Sequence, residues 1–225
     1  RSGDFPSFVP QQERLFAGGA QTVRGYRQNE LGPQVYVADR FEETFTGEFA
    51  GTDSVFVLAA PTTNGRLDET VRTRAVPTGG NRLVVTNAEY RMRPPVLSDL
   101  LQLVAFVDAG NVWDQRTGSD AKRLYATPGF GVRVVSPFGP IRVDFGYNRH
   151  KPAPGAIFYE DVTAEARPLY CITPGNAVRV VRRTLGEQSF FEAVDPGAPC
   201  PSNYTGTARR GWRAFNISLA IAQAF

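Results

Sequence analysis

The sequence holds 225 residues, of which 42% are hydrophobic, 12% aromatic and 21% charged, with a formal net charge of +3. That is enough apolar material for a packed structure and excludes wholesale disorder. No apolar run approaches the ~18 residues of a spanning helix, so helical passage of a membrane is excluded; spanning strands, which alternate, are not.

The chain opens at Arg1 with neither Met nor a secretory-leader pattern, and is expected to begin inside a longer protein. Everything before Arg82 reads as a long connection, in which Gln34–Ala38 and residues 54–60 are the segments able to add strands. Five regions then show period two. In Arg82–Met92, Leu83, Val85, Asn87 and Glu89 share one face, and Val84, Thr86, Ala88, Tyr90 and Met92 the other. In residues 101–109, Leu101, Leu103, Ala105, Val107 and Ala109 make an apolar face opposite Gln102, Val104, Phe106 and Asp108. Residues 129–135 set Phe130, Val132 and Val134 against Gly131, Arg133 and Val135. Residues 141–148 set Ile141, Val143, Phe145 and Tyr147 against Arg142, Asp144, Gly146 and Asn148. The terminal region sets Phe215, Ile217, Leu219, Ile221 and Phe225 against Asn216, Ser218 and three alanines. Such alternation is the mark of half-buried strands.

The connections are unequal. Residues 93–100, with Pro94-Pro95, and the tight 136–140 turn lie on one side. Residues 111–127, residues 149–212 and the whole segment before Arg82 lie on the other. Short turns at one end and long loops at the other fit an outer-membrane barrel. Glu89, Asp108, Arg133, Arg142 and Asp144 stand singly among small residues on one set of faces, while Tyr90, Phe130, Tyr147, Phe215 and Phe225 suit an interfacial aromatic girdle. Periodicity alone does not say which face is inside, because a soluble sandwich alternates in the same way. Five strands at ~4.8 Å spacing and ~40° tilt span only about 31 Å of circumference, too little for a closed tube with side chains inside. The expected fold is therefore all-β: an antiparallel outer-membrane β-barrel, partial, with long extracellular loops.

Cys171 and Cys200 lie in a Gly/Pro-rich stretch and fit either one disulfide closing a long loop or two buried thiols. With a single histidine they cannot make a zinc site without carboxylate help, and no metal or other cofactor is expected. No catalytic residue is expected either. There is no Gly-x-Ser-x-Gly elbow, and the adjacent acids Glu42-Glu43 and Glu160-Asp161 would point apart on strands. His150 stands beside Arg149 and Lys151 as a solvated loop residue. The Asn203 and Asn216 triplets match a glycosylation pattern by chance. All basic residues but Lys122 and Lys151 are arginine, and the densest clusters lack the aromatic interleaving of a nucleic-acid site.

Five blocks carry a resemblance. They are residues 14–33 with Val23-Arg24-Gly25-Tyr26 at their centre and Gly18-Gly19 before it, residues 79–95, residues 103–114, residues 128–147, and a terminal strand ending in Phe225. In this order they resemble the bacterial surface-antigen family, the BamA/TamA type of outer-membrane assembly barrels. The resemblance covers roughly half the chain; residues 34–77 and 149–210 fall outside it.

It implies a 16-stranded barrel in the bacterial outer membrane, of which this chain would supply the last five strands. Residues 1–80 would be a loop folded back into the lumen, 81–148 four strands, 149–212 an extracellular loop and 213–225 the terminal strand. It implies a factor that folds and inserts other barrel proteins. The partners would be unfolded outer-membrane clients, the lipid bilayer, N-terminal periplasmic domains of the same chain and accessory assembly proteins. A two-partner-secretion transporter exporting an unfolded exoprotein is the alternative. Leu219, Ile221 and Phe225 resemble the terminal-strand sorting signal. The chemistry of the motif stands beside this. Arginine offers a fork of donors matched to carboxylates, so Arg24 is expected to bond Glu89, Asp108 or both, with Gly25 permitting close approach or a positive φ and Tyr26 packing on the wall.

Overall fold

A computed structural model describes residues 10–49, 53–63, 66–95, 100–114, 123–137, 139–160, 169–174, 176, 178–185, 188–193 and 200–221. Among them, regular structure is almost entirely strand. In chain order these are β1 (Gln34–Ala38), β2 (Glu42–Phe49), β3 (Asp53–Ala59), β4 (Thr62–Thr63), β5 (Arg66–Leu67), β6 (Thr73–Pro77), β7 (Arg82–Met92) and β8 (Leu101–Trp113). They continue as β9 (Tyr125–Ser136), β10 (Gly139–Tyr147), β11 (Ile157–Glu160), β12 (Leu169–Cys171), β13 (Val178–Leu185), β14 (Gln188–Ala193) and β15 (Phe215–Ile221). Two short 3-10 turns, Gln11–Glu13 and Gly211–Ala214, complete the set.

The chain forms two compact units. The first comprises Arg1–Pro33, Pro77–Ala153 and Gly206–Phe225. Its frame is one sheet in the order β15-β10-β9-β8-β7, antiparallel at every step. Strands β7 and β8 run 11 and 13 residues, long enough to cross a bilayer at the tilt of a barrel wall. The two faces differ as the alternation requires. Val107 is 49% exposed, Ile217 65% and Leu219 64%, whereas Asp108 and Asp144 are fully buried. A soluble sandwich would invert this, burying Ile217 and exposing the acids. The sheet is a partial β-barrel, open in these residues, with its greasy side outward.

The second unit comprises Gln34–Val76 and Pro154–Thr205. It contains a sheet in the order β12-β11-β1-β6, another in the order β14-β13-β3-β2, and the hairpin β4-β5. Tyr36, Leu58, Ile157, Ile172 and Val180 are its buried core. Cys171 and Cys200 are joined by a disulfide with Cα atoms 5.8 Å apart.

Several expectations need correction. The 34–38 and 53–59 segments are strands, yet they pair outside the five-stranded sheet and do not widen it. The antiparallel rule fails at β1 and β11, which pair in parallel through Tyr36↔Ile157. The regions expected to be plain long loops carry a core of their own. The 111–127 connection is shorter than expected, because β8 continues to Trp113 and β9 begins at Tyr125. Gly110-Asn111 looks like a turn in sequence. In the fold Asn111 is buried, and Val112 packs in a cluster with Val23 and Leu31.

A crosslink closing 29 residues is worth about 3 kcal/mol to the structure it closes. A Cys171→Ser/Cys200→Ser variant should therefore lose protease resistance within Pro154–Thr205. The five-stranded sheet should keep its folded-barrel mobility in unheated gels.

Candidate functional site

Residues 14–33 form a closed loop on the inner face of the first unit's sheet. Leu15 bridges Gly80 at the start of β7, and Leu31 N–H donates to the Ala17 carbonyl at 3.0 Å. Gly18 and Gly19 sit at φ 108° and 98°, which other residues rarely adopt. Their turn lets the Gly19 N–H bond the Tyr26 carbonyl at 3.0 Å and brings the chain back on itself. Val23 is fully buried with Ala17, Leu31 and Val112.

Arg24, 3% exposed, is the centre. Its Nε and Nη2 donate to the two oxygens of Asp108, each at 2.7 Å. Its backbone N–H donates to Asp108 Oδ2 at 3.0 Å, and Nη1 donates to Glu89. The guanidinium carbon lies 3.5 Å from the centre of the Phe106 ring. Burial alone would favour a neutral side chain; the bonds to Asp108 and Glu89 outweigh it and hold Arg24 charged more firmly than usual.

Glu89 and Asp108 do not face each other directly. Asp108 stands opposite Asn87 on β7 and Thr127 on β9, and Glu89 stands opposite Phe106. The arginine fork spans this diagonal. Beyond Arg24 lies a second layer, built from charges that stand singly in the sequence. Arg142 Nε is 2.8 Å from Asp144 Oδ2, Arg133 bonds Asp144 Oδ1, and Asp144 Oδ2 lies 3.6 Å from Arg24 Nη1. Three arginines and three carboxylates thus interlock, and Arg91 pairs with the outer oxygen of Glu89 at 2.9 Å.

The loop backbone is held as firmly. Asn87 Nδ2 donates to the Thr22 carbonyl at 2.6 Å, and Arg142 donates to that of Ala20. Asn216 Nδ2 donates to the carbonyls of Arg24 and Tyr26, both at 2.8 Å. The amide of Asn216, whose triplet matches a glycosylation pattern by chance, is committed to the motif. Gly25 does not take a positive φ. Its role is close approach, because a Cβ there would stand 2.5 Å from Thr127. Gly146 is its counterpart on β10, where a Cβ would meet Arg24 and Gly25 backbone at 2.6 Å. Through these contacts the motif touches all five strands.

Tyr26 packs at the loop end of the sheet, stacked parallel to His150 at 6.5 Å. His150 is not a free loop residue: its Nε2 is 2.9 Å from the Ala126 carbonyl and its ring meets Tyr125 edge-on. Burial, with Tyr125 and Glu30 adding, pushes the Tyr26 phenol well above its ordinary range. Leu219 and Ile221 lie exposed on the outer face of β15, and Phe225 falls outside the described residues. No group of three or more His, Cys, Asp or Glu side chains is placed to hold a metal among the described residues.

A meander with an apolar outer face and a charged inner face crossed by a bonded loop defines a segment of an outer-membrane β-barrel. A family model described as the Omp85 superfamily domain matches residues 3–157, and the chain belongs to that superfamily. It is a protein of the bacterial outer membrane. It is similar to the outer membrane protein assembly factor BamA of Neisseria meningitidis serogroup B, at 24% identity over 165 residues. That match covers 62% of this chain and 17% of the meningococcal protein.

Removing Arg24 would strand Asp108 without its bidentate partner in a buried site, at a cost of about 3–5 kcal/mol. Arg24→Ala should lower the urea midpoint for loss of folded-barrel mobility accordingly. Arg24→Lys should recover only part, because an ammonium lacks the fork. An Arg24→Glu/Asp108→Arg variant should exceed both single variants in stability; equality with them would refute the pairing. Gly146→Ala should unseat the loop at about 1–3 kcal/mol by overpacking alone.

The raised Tyr26 pKa gives a signed pH dependence. Its contribution to stability is full below the free phenol's pKa of about 10 and is lost as pH rises beyond it. Tyr26→Phe, which cannot ionise, should keep the loop protease-resistant at high pH where the parent chain becomes cleavable.

Proposed function

We propose that this chain supplies the last strands of a barrel that folds other β-barrel proteins and inserts them into the outer membrane. The observation that carries the reading is the terminal strand. β15 is the terminal strand and one edge of the described sheet, bonded to β10 through seven residue pairs, as β7 is the other edge. An open strand edge is a template for pairing an incoming extended segment, with alternate side chains setting the register. The inner face of β15 is small, with Ser218 and Ala220, while Ile217, Leu219 and Ile221 face outward. The similarity to an assembly factor supports the same reading.

In this reading the motif loop stiffens the wall behind the edge, so that pairing and unpairing are confined to β15. Residues 14–33 act on the lumen side, and the two insertions belong to the extracellular loops. Leu219 and Ile221, with Ile217, make the outward row of the terminal strand. The partners are unfolded outer-membrane clients and the surrounding lipid, together with periplasmic domains N-terminal to this segment and accessory assembly proteins. The work consists of hydrogen-bond exchange and solvent transfer, without catalysis or cofactor.

Full-length protein in liposomes should accelerate the folding of a urea-denatured eight-stranded barrel relative to protein-free vesicles. Ser218→Cys should crosslink to a cysteine in the client's terminal strand during that reaction. Export of an unfolded polypeptide into the vesicle lumen, with neither acceleration nor crosslink, would favour the secretion transporter instead.

A further inference from the structure

At the long-loop end of the sheet, the outer face carries a groove of about 840 Å³. Phe130, Phe145, Tyr147, Trp212, Phe215 and Ile217 line it. The walls are ordered ring contacts. Phe130 and Phe145 stack at 5.1 Å, Tyr147 and Phe215 lie at 5.0 Å, and Trp212 and Phe215 at 5.9 Å. Trp212 is 90% exposed and forms one wall of the groove. The volume falls within the ~300–1,000 Å³ typical of ligand sites.

The charge beside this groove has one sign. Arg210 and Arg213 flank the Gly211-Trp212 wall, and Arg149 and Lys151 follow Tyr147. All four are exposed, and none makes an ion pair with a described residue. Residues 145–159 and 196–225 contain no Asp or Glu at all. The fifth cation there, Arg209, is occupied by Glu30. Solitary surface arginines need no explanation. Four exposed cations, each within four residues in sequence of a side chain that lines an aromatic groove on the lipid-facing side, do, because this is where a membrane lipid's head and chains meet.

We propose that this groove is a binding site for a phosphorylated, multi-acyl lipid of the outer leaflet. The acyl chains lie along Phe145, Phe215 and Ile217 against Trp212, and the phosphate is held by Arg149, Lys151, Arg210 and Arg213. The leaflet follows from the loops: the groove lies at the end of β10 and β15 opposite the short 136–139 turn, which is the external end in this class of barrel. The apolar lining takes chains and the cations take phosphate, so neither a neutral lipid nor free phosphate satisfies both halves. The proposal rests on the membrane placement of the sheet and not on the insertion activity.

The test uses full-length protein in detergent, with bound lipid counted by native mass spectrometry. The probes are purified lipid A, its dephosphorylated form, and phosphatidylcholine. Parent protein should retain lipid A over both others. At about fivefold per cation, an Arg149→Gln/Arg210→Gln/Arg213→Gln variant should bind lipid A about a hundredfold more weakly and the dephosphorylated form unchanged. Trp212→Ala should weaken both lipid A forms. Unheated gel mobility reports whether each variant is folded, and Arg210→Gln alone gives a milder variant if the triple fails. Equal binding of the phosphorylated and dephosphorylated lipids, or displacement of lipid A by millimolar inorganic phosphate, would overturn the proposal. So would a client peptide that displaces lipid A from the groove.

Discussion

The structure of the first unit depends on one buried guanidinium. Arg24 reaches carboxylates on both β7 and β8, and its layer continues to Asp144 on β10. A barrel wall has no conventional core, since its outer face meets hydrocarbon. Its inner face must therefore be organised by polar bonds. Here the organising element is a loop, and the carboxylates are placed for its arginine. With Arg24 seated, Asp108 satisfies a side chain, a backbone N–H and Asn87 at once. Several bonds converging on one buried carboxylate fix geometry in a way scattered surface ion pairs do not.

The same constraint explains the small residues. A polar loop can lie flat on a strand only where the strand carries no side chain. Gly146 and Gly25 provide that space from opposite sides, and Asn216 covers the resulting carbonyls from β15. Sequence patterning, backbone approach and charge pairing converge on one arrangement, as consistent folding requires.

Much of this is legible in the sequence. Period-two alternation located all five strands of the sheet, because half-buried strands must alternate and nothing else in the chain does so over seven residues or more. Arg24 stands out through the resemblance carried by Val23-Arg24-Gly25-Tyr26, and Glu89 and Asp108 as carboxylates on adjacent strands within reach of its fork. Legibility failed wherever a residue's meaning depends on a distant partner. Asn216 resembles any Asn-Ile-Ser triplet until the loop lies over it. Arg133, Arg142 and Asp144 read as isolated charges because their register to one another is a tertiary fact. The true strand ends were hidden by Gly110-Asn111, whose turn-like composition is overridden by packing against the loop. The second unit was invisible for a sharper reason: its two halves are separated by the whole of β7 to β10, and short strands with mixed faces give no local sign that they will meet.

That separation has a consequence in time. β1 can acquire its parallel neighbour β11 only after the intervening strands have been made, and pairings of such long range form slowly. Until then Gln34–Val76 travels as an unfinished half with Tyr36 and Leu58 uncovered. The Cys171–Cys200 bond lies wholly in the later half, so its closure can come early or late without trapping the earlier one. The last piece of this chain to mature is therefore set by its order of synthesis, and a holding chaperone would find its target in the segment made first.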